Sequence, residues 1–243
     1  MKSININCDL AEGYKYDSQI MPLISSCNIA CGGHYGTERS IKKAIQQAQQ
    51  HQVKIGAHPS FPDKENFGRK LMNLSSQELR LSLSAQLHHF RELCQDENAD
   101  WHHIKFHGAL YNHLAKNKNL AKLCFEVIED LNREVVVFTL PESELLNFKS
   151  DKIKYWVEGF ADRTYADDFS LTPRKLPNAL LHTSKEILHQ ILNLAEAKII
   201  STSGKIKKQT IDTICLHSDS KLTLNHLEYL QEQLPKFGYE IER

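Results

Sequence analysis

From end to end, the chain alternates short apolar runs with amphipathic segments of helical period, and this alternation restricts its fold more than any other feature. Ser3–Cys8 reads as a strand, and Thr37–Gln52 as a helix with Ile41, Ala44, Ile45 and Ala48 on one face. Val53–Ala57 is the next strand. Ser75-Ser76-Gln77-Glu78 has the form of a capping box, and the helix behind it carries a stripe of Leu79, Leu83, Leu87, Phe90 and Cys94. His103–Phe106 and Glu134–Thr139 read as strands either side of a helix marked by Leu120, Leu123, Cys124, Val127 and Leu131. Tyr155–Glu158, a helix over Ser184–Ala197, a strand ending at Leu216 and a helix with Leu227, Leu230 and Leu234 complete the series. Such alternation implies parallel βαβ units with right-handed crossovers. About seven units are present, enough to close an irregular α/β barrel. A doubly wound open sheet has the same periodicity and is the alternative.

No linker, repeat or low-complexity tract interrupts the 243 residues, so a single domain over 1–243 is expected. Lys plus Arg (30) balance Asp plus Glu (30), which leaves no net field to attract nucleic acid or an anionic membrane. No signal-peptide stretch opens the chain and no apolar run is long enough to span a bilayer, so a cytoplasmic protein is expected. The six cysteines form no CxxC pair and read as buried thiols. Thr202-Ser203-Gly204-Lys205 resembles the end of a P-loop but lacks its upstream glycine. It reads as a hairpin turn between Lys198–Ile200 and Gln209–Ile214.

The polar residues that stand out fall at or just after the expected strands. Asn7, Asp9 and Glu12 follow the first, Asn28, Cys31 and His34 the second, and His58 and Asp63 the third. Lys105, His107, Tyr111 and Asn112 surround the end of the fourth, Glu142 follows the fifth, Glu158, Asp162 and Arg163 the sixth, and His217 and Asp219 the last. In parallel α/β folds the loops after the strands converge on one rim, so scattered residues can share one pocket. That repetition favours a pocket role for His34, His58, His107 and His217, whereas His88, His89, His113 and His226 read as packing or surface residues. Asp9 and Glu12 have a plainer reading as caps of a first helix. Arg163 and Arg174 either form structural ion pairs or hold an anionic substrate group.

Six motifs together carry a resemblance. They are Asn7-Cys8-Asp9-Leu10-Ala11-Glu12-Gly13, Asn28-Ile29-Ala30-Cys31-Gly32-Gly33-His34, Gly56-Ala57-His58-Pro59-Ser60-Phe61-Pro62-Asp63 with Phe67-Gly68-Arg69, Lys105-Phe106-His107-Gly108-Ala109-Leu110-Tyr111-Asn112, Phe160-Ala161-Asp162-Arg163-Thr164-Tyr165 with Leu171-Thr172-Pro173-Arg174, and Ile214-Cys215-Leu216-His217-Ser218-Asp219. In this order they resemble the motifs of the LamB/YcsF family. Ala11, Phe106, Lys70 and Ser218 depart from its usual Gly, Pro, Arg and Gly, and Ser218 bears most directly on the rim because it adds a side chain beside His217.

The resemblance implies a distorted seven-stranded β/α barrel of the glycoside hydrolase/deacetylase-like type. It also implies an activity: the ATP-dependent opening of the 5-oxoproline lactam to L-glutamate, with this chain as the A component of a 5-oxoprolinase and with subunits B and C as its partners. On that reading the expected catalytic residues are Asp9, Glu12, Lys105, His107 and Asp162, with Asp9 or His107 as general base. Asn7, Asn28, Asn112, Arg163 and Arg174 are the expected substrate-binding residues. Lys105 and the two arginines would hold carboxylate or phosphoryl charge. His34, His58 and His217, with Asp9 or Asp219, are of the types that ligate a divalent metal such as Mg or Zn. Two rivals stand beside this reading: a metal-dependent deacetylase or amidohydrolase working without ATP, and a non-catalytic subunit that holds a small acid.

Overall fold

Strands with an apolar residue at every second position need cover on that side, and the chain follows most of its strands with a helix that provides it. The computed structural model describes residues 1–243. In chain order its elements are β1 (Lys2–Ile4), β2 (Ile6–Leu10), α1 (Asp17–Ile20), β3 (Ser26–Ala30), α2 (Glu38–Gln50), β4 (Lys54–His58), α3 (Ser76–Asp96), β5 (Trp101–Lys105), α4 (Gly108–Leu114), α5 (Lys118–Glu129), β6 (Val135–Thr139), β7 (Ile153–Phe160), α6 (Ser184–Ala195), β8 (Lys198–Ile200), β9 (Ile206–Lys208), β10 (Thr213–Cys215), α7 (Leu222–Gln233) and β11 (Tyr239–Ile241).

Seven strands close into a parallel barrel in the order β10-β2-β3-β4-β5-β6-β7, which excludes the open-sheet alternative. The expected helix starts are set by side-chain caps: Thr37 caps α2, and Ser75 and Glu78 form the capping box of α3. Ile41, Ala44, Ile45 and Ala48 of α2, and Leu79, Leu83, Leu87, Phe90 and Cys94 of α3, are all buried against the barrel. No helix is long and apolar enough to cross a membrane.

Two expected strands are divided. Ser3–Cys8 breaks at Asn5, so that β1 pairs with β11 outside the barrel while β2 enters it. The buried Asn5 side chain accepts hydrogen bonds from Ser26 and Thr213 and donates to Glu242, fixing the step between the two. At the other end, Gly204 turns the hairpin as expected, but the strand returning along β8 is Ile206–Lys208. Gln209–Ile214 therefore does not form the hairpin's second arm, and its end joins the barrel as β10 between β7 and β2.

Alternation gives the barrel strands two chemically opposite faces. Ile6, Cys8, Leu10, Cys27, Ile29, Ile55, Ala57 and Ile104 belong to the buried apolar core. The residues between them, Asn7, Asp9, Asn28, His58, His103, Lys105 and Glu158, point into the barrel and bond one another. Gly56 is required there, because a Cβ at that position would lie 2.1 Å from Nε2 of His103. The ring fills the space a side chain would take and stacks on Phe138 with centroids 4.1 Å apart.

Candidate active site

The buried polar column rises through the barrel toward the carboxyl ends of the strands. At its base, Asn28 accepts from His103 Nε2 at 2.9 Å and donates to Asn7 Oδ1 at 2.8 Å and Asp9 Oδ1 at 2.7 Å. Above it, Lys105 Nζ donates to Asp9 Oδ1 at 3.0 Å and to Asn7 Oδ1 and Cys215 Sγ at 3.2 Å, and pairs with Glu158 Oε1 at 2.9 Å. Burial alone would lower the ammonium, but Asp9 and Glu158 beside it keep it well above the usual lysine range. Glu158 also accepts from Asn7 and from the Tyr111 hydroxyl. Every group in the column has a partner, as a buried polar cluster requires.

At the mouth, three histidines and two carboxylates crowd together. His58 Nδ1 lies 2.7 Å from the Lys105 carbonyl, and His107 Nε2 lies 2.9 Å from the Phe67 carbonyl. A carbonyl only accepts, so both of those nitrogens carry hydrogen. The opposite nitrogens, His58 Nε2 and His107 Nδ1, face each other at 3.0 Å. Glu12 Oε1 lies 2.8 Å from His34 Nε2, 3.3 Å from His107 Nδ1 and 3.8 Å from His58 Nε2, and Asp9 Oδ2 is 3.5 Å from His58 Nε2. Burial and the charge on Asp9 push the Glu12 carboxyl up to about 7. Burial alone would also raise Asp9, yet His58 and Lys105 hold it well below the usual carboxylate range. Burial drives His107 well below the usual imidazole range and His34 down to about 3. His58 is the exception: Asp9 outweighs burial and raises it.

Beyond this cluster opens a cavity of about 900 Å³, lined by Asp9, Glu12, His58, Lys105 and His107 on one side and, around the rest, by apolar residues together with Arg69, Arg174, Lys207, Glu142, Asp168 and Asp219. A dyad stands on its wall. Asp162 accepts from His217 Nδ1 at 2.9 Å, which leaves His217 Nε2 to the cavity. Burial alone would raise Asp162, but His217 holds it down as the carboxylate. Asp219 anchors two cations, Arg69 at 3.3 Å and Arg174 at 3.2 Å.

The structure thus brings together Asp9, Glu12, Lys105, His107, Asp162 and His217, and sorts the other expected residues by position. Asn7 and Asn28 lie in the column beneath the cavity and do not line it. Asn112 lines it but is exposed and bonds its own helix through Gly108. The Arg163 guanidinium bonds the carbonyls of Thr172 and Ala179, tying the loop after β7, so it has the structural employment that its residue type also allowed. The residues expected around a metal do not all share one centre: His34 and His58 sit in the histidine cluster, His217 pairs with Asp162, and Asp219 holds the arginines. Arg69, Glu158 and Tyr111, which had no assigned role, belong to the site or its support. A lone acid in the apolar run Trp156-Val157-Glu158-Gly159-Phe160 was the signal for Glu158. Burial pushes the Cys8, Cys31 and Cys215 thiols up, in keeping with packing rather than nucleophilic roles.

The family model described as LamB/YcsF family matches residues 4–243. The chain belongs to the LamB/YcsF family. Curated relatives include the protein named as the A subunit of 5-oxoprolinase in Haemophilus influenzae strain PittEE, 38% identical over 238 residues and 97% of each chain. The protein of that name from Neisseria meningitidis serogroup C is 37% identical over 243 residues, with 99% of each chain covered. Among solved structures, the lactam utilization protein from Thermus thermophilus superposes with a TM-score of 0.90 at 28% identity, covering 100% of this chain and 99% of that one. A family 4 carbohydrate esterase from Streptomyces lividans shares the fold at a TM-score of 0.55 and 9% identity.

Two departures from the LamB/YcsF pattern now have a physical meaning. Ala11 stands at a family glycine and takes a φ of 59°, held by its amide donating to Asp17 Oδ2 at 2.8 Å. Ser218 lines the cavity, and its buried hydroxyl donates to the Asp9 carbonyl and ties β2 to the loop after β10.

Proposed function

We propose that this chain is the A component of an ATP-dependent 5-oxoprolinase, opening the lactam of 5-oxo-L-proline to L-glutamate together with subunits B and C. The observation that carries the reading is the His217–Asp162 dyad facing a cavity rimmed by arginines and lysines as well as carboxylates, in a chain of this family. The near full-length likeness to relatives named for that activity supports the substrate.

A lactam is a resonance-stabilised amide. Phosphoryl transfer from ATP to its oxygen makes the ring carbon electrophilic, and water adds there. The ring C–N bond breaks as the nitrogen takes up a proton, and hydrolysis of the resulting acyl phosphate releases glutamate and phosphate. The residues here suit the remaining work. His217 Nε2 takes a proton from the attacking water and returns it to the departing ring nitrogen, with Asp162 fixing the tautomer and balancing the imidazolium in between. Arg69 and Arg174, held at the exposed mouth by Asp219, meet carboxylate or phosphoryl charge there. Asp9 and His107, expected as bases, have their free atoms turned toward His58 and serve the cluster instead. At about 900 Å³ the cavity is at the upper end for a small-molecule site and has room for more than the lactam acid alone. A divalent cation of the Mg or Zn kind accompanies this reading.

The test is glutamate release from 5-oxoproline by the complex with subunits B and C, with and without ATP. His217→Gln and Asp162→Asn are expected to lower turnover by about 10²–10⁴-fold with folding intact. Full turnover in both variants would reduce the chain to a component that only binds a small acid. Glutamate release by the isolated chain without ATP would favour the amidohydrolase reading, which the histidine–carboxylate cluster recommends.

A further inference from the structure

The cluster at the top of the polar column presents a bonding problem that protein atoms alone do not solve. His58 Nε2 and His107 Nδ1 face each other at 3.0 Å, and each ring has its hydrogen fixed on the opposite nitrogen by a backbone carbonyl. Two neutral imidazoles in this arrangement would point lone pair at lone pair. Something positive has to lie between them, either an added proton or a cation. Both rings are buried, and both are oriented from behind as metal-ligating histidines are, by a hydrogen bond on the far nitrogen.

The surrounding oxygens favour the cation. Glu12 Oε1 is 3.3 Å from His107 Nδ1 and 3.8 Å from His58 Nε2, while Asp9 Oδ2 is 3.5 Å from His58 Nε2. Bonds of about 2.0–2.2 Å to one ion place neighbouring ligand atoms roughly 3.0–3.5 Å apart. The His107–Glu12 and His58–Asp9 separations fall in that range, and Glu12 stands a little farther from His58. The carboxylates are themselves held. Asp9 Oδ1 takes Asn28 and Lys105, which leaves Oδ2 toward the histidines, and His34 Nε2 supports Glu12 at 2.8 Å.

We propose that His58 Nε2, His107 Nδ1, Glu12 and Asp9 form a binding site for one divalent transition-metal ion, with His34 as the supporting partner of Glu12. Two imidazoles with two carboxylates suit zinc, manganese or ferrous iron, and the nitrogen ligands disfavour magnesium. The centre differs from the set expected from the sequence: His107 and Glu12 enter it beside His58 and Asp9, His34 becomes a support, and His217 and Asp219 take no part. The cavity borders Asp9, Glu12, His58 and His107, so a bound ion can reach a carbonyl oxygen there and polarise it. That use at a lactam rests on the oxoprolinase reading, whereas the existence of the site does not.

The experiment measures metal rather than turnover. The tag-free chain, stripped with a chelator, is titrated with Zn²⁺, Mn²⁺ and Co²⁺, followed by elemental analysis, thermal melting and, for Co²⁺, the visible d–d spectrum. Wild type is expected to retain about one equivalent of metal per chain after desalting, to melt higher with metal, and to give a Co²⁺ spectrum with histidine ligands. His58→Asn and His107→Asn should lose all three responses, while His88→Ala and His89→Ala, on exposed helix surface, should keep them. If the single-site variants fail to fold, the wild-type Co²⁺ spectrum and stoichiometry still decide. Wild type that retains no metal and melts unchanged would show that a proton fills the gap and would overturn the proposal. Equal metal loss from the surface variants would place the ion elsewhere and overturn it as well.

Discussion

The two faces of the barrel strands invite comparison, because they share one backbone and differ in almost everything else. The outward face, with Ile6, Cys8, Leu10, Cys27, Ile29 and Ile104, meets Leu, Ile and Phe of the helices and is apolar throughout. The inward face, with Asn7, Asp9, Asn28, His103, Lys105 and Glu158, is a continuous hydrogen-bonded column. Hydrophobic burial stabilises the fold from outside the barrel, and a fully buried Leu contributes about 1.5–3 kcal/mol. Inside, the charged groups serve position rather than stability, since a buried ion pair recovers little beyond its own desolvation. The molecule therefore keeps its stability and its chemistry on opposite sides of one sheet.

Substitutions that break this division differ in expected size. Glu158→Ala leaves Lys105 with Asp9 as its one remaining carboxylate partner and strands the Tyr111 hydroxyl. It should destabilise the fold by about 3–5 kcal/mol in urea unfolding. Retained stability would mean that water replaces the lost partner. Leu83→Ala on the outer side opens a cavity against α3 and should cost about 3 kcal/mol while leaving the KM for substrate unchanged. A KM change there would show that the shell and the site are coupled. Gly56→Ala forces its methyl into the His103 ring and should cost about 1–3 kcal/mol, with partial rescue by His103→Ala in the double variant. Strict additivity of the two changes would remove the steric explanation.

The smallest effect is at Asp17, which holds the strained Ala11 from outside the barrel. Burial raises its carboxyl to about 6, above the unfolded value near 3.9. A raised folded value means that this group's stabilising contribution is complete below about pH 4 and is lost as pH rises through about 6. Asp17→Asn keeps an acceptor for Ala11 and should be more stable than wild type by about 1 kcal/mol at pH 7.5, after allowance for partial solvent exposure, with no difference at pH 4. A pH-independent difference in melting temperature would show that the carboxyl is not strained.

Much of this arrangement was readable in the chain. The stripes of α2 and α3, their caps and the strand–helix order follow from local periodicity and side-chain chemistry, both of which act over a few residues. The strand ends likewise marked where Asp9, Lys105, His107 and His217 would gather. The resemblance of six motifs added the family, but it left open what each side chain touches. Asn7 and Asn28 illustrate the limit, since a period of two says that they share a face and does not say whether that face meets solvent, ligand or another asparagine.

By itself, then, the sequence determined that this chain alternates strands and helices, buries one face of each and concentrates polar groups at the strand ends. Only the tertiary structure decided the pairings. Asp162 meets His217 across 55 residues, and Arg69 meets Asp219 across 150. It also decided that His107, rather than His217, stands beside His58. The reason is physical: local pattern fixes which way a side chain points, but its partner is set by barrel closure and strand register, which depend on contacts among all seven strands at once.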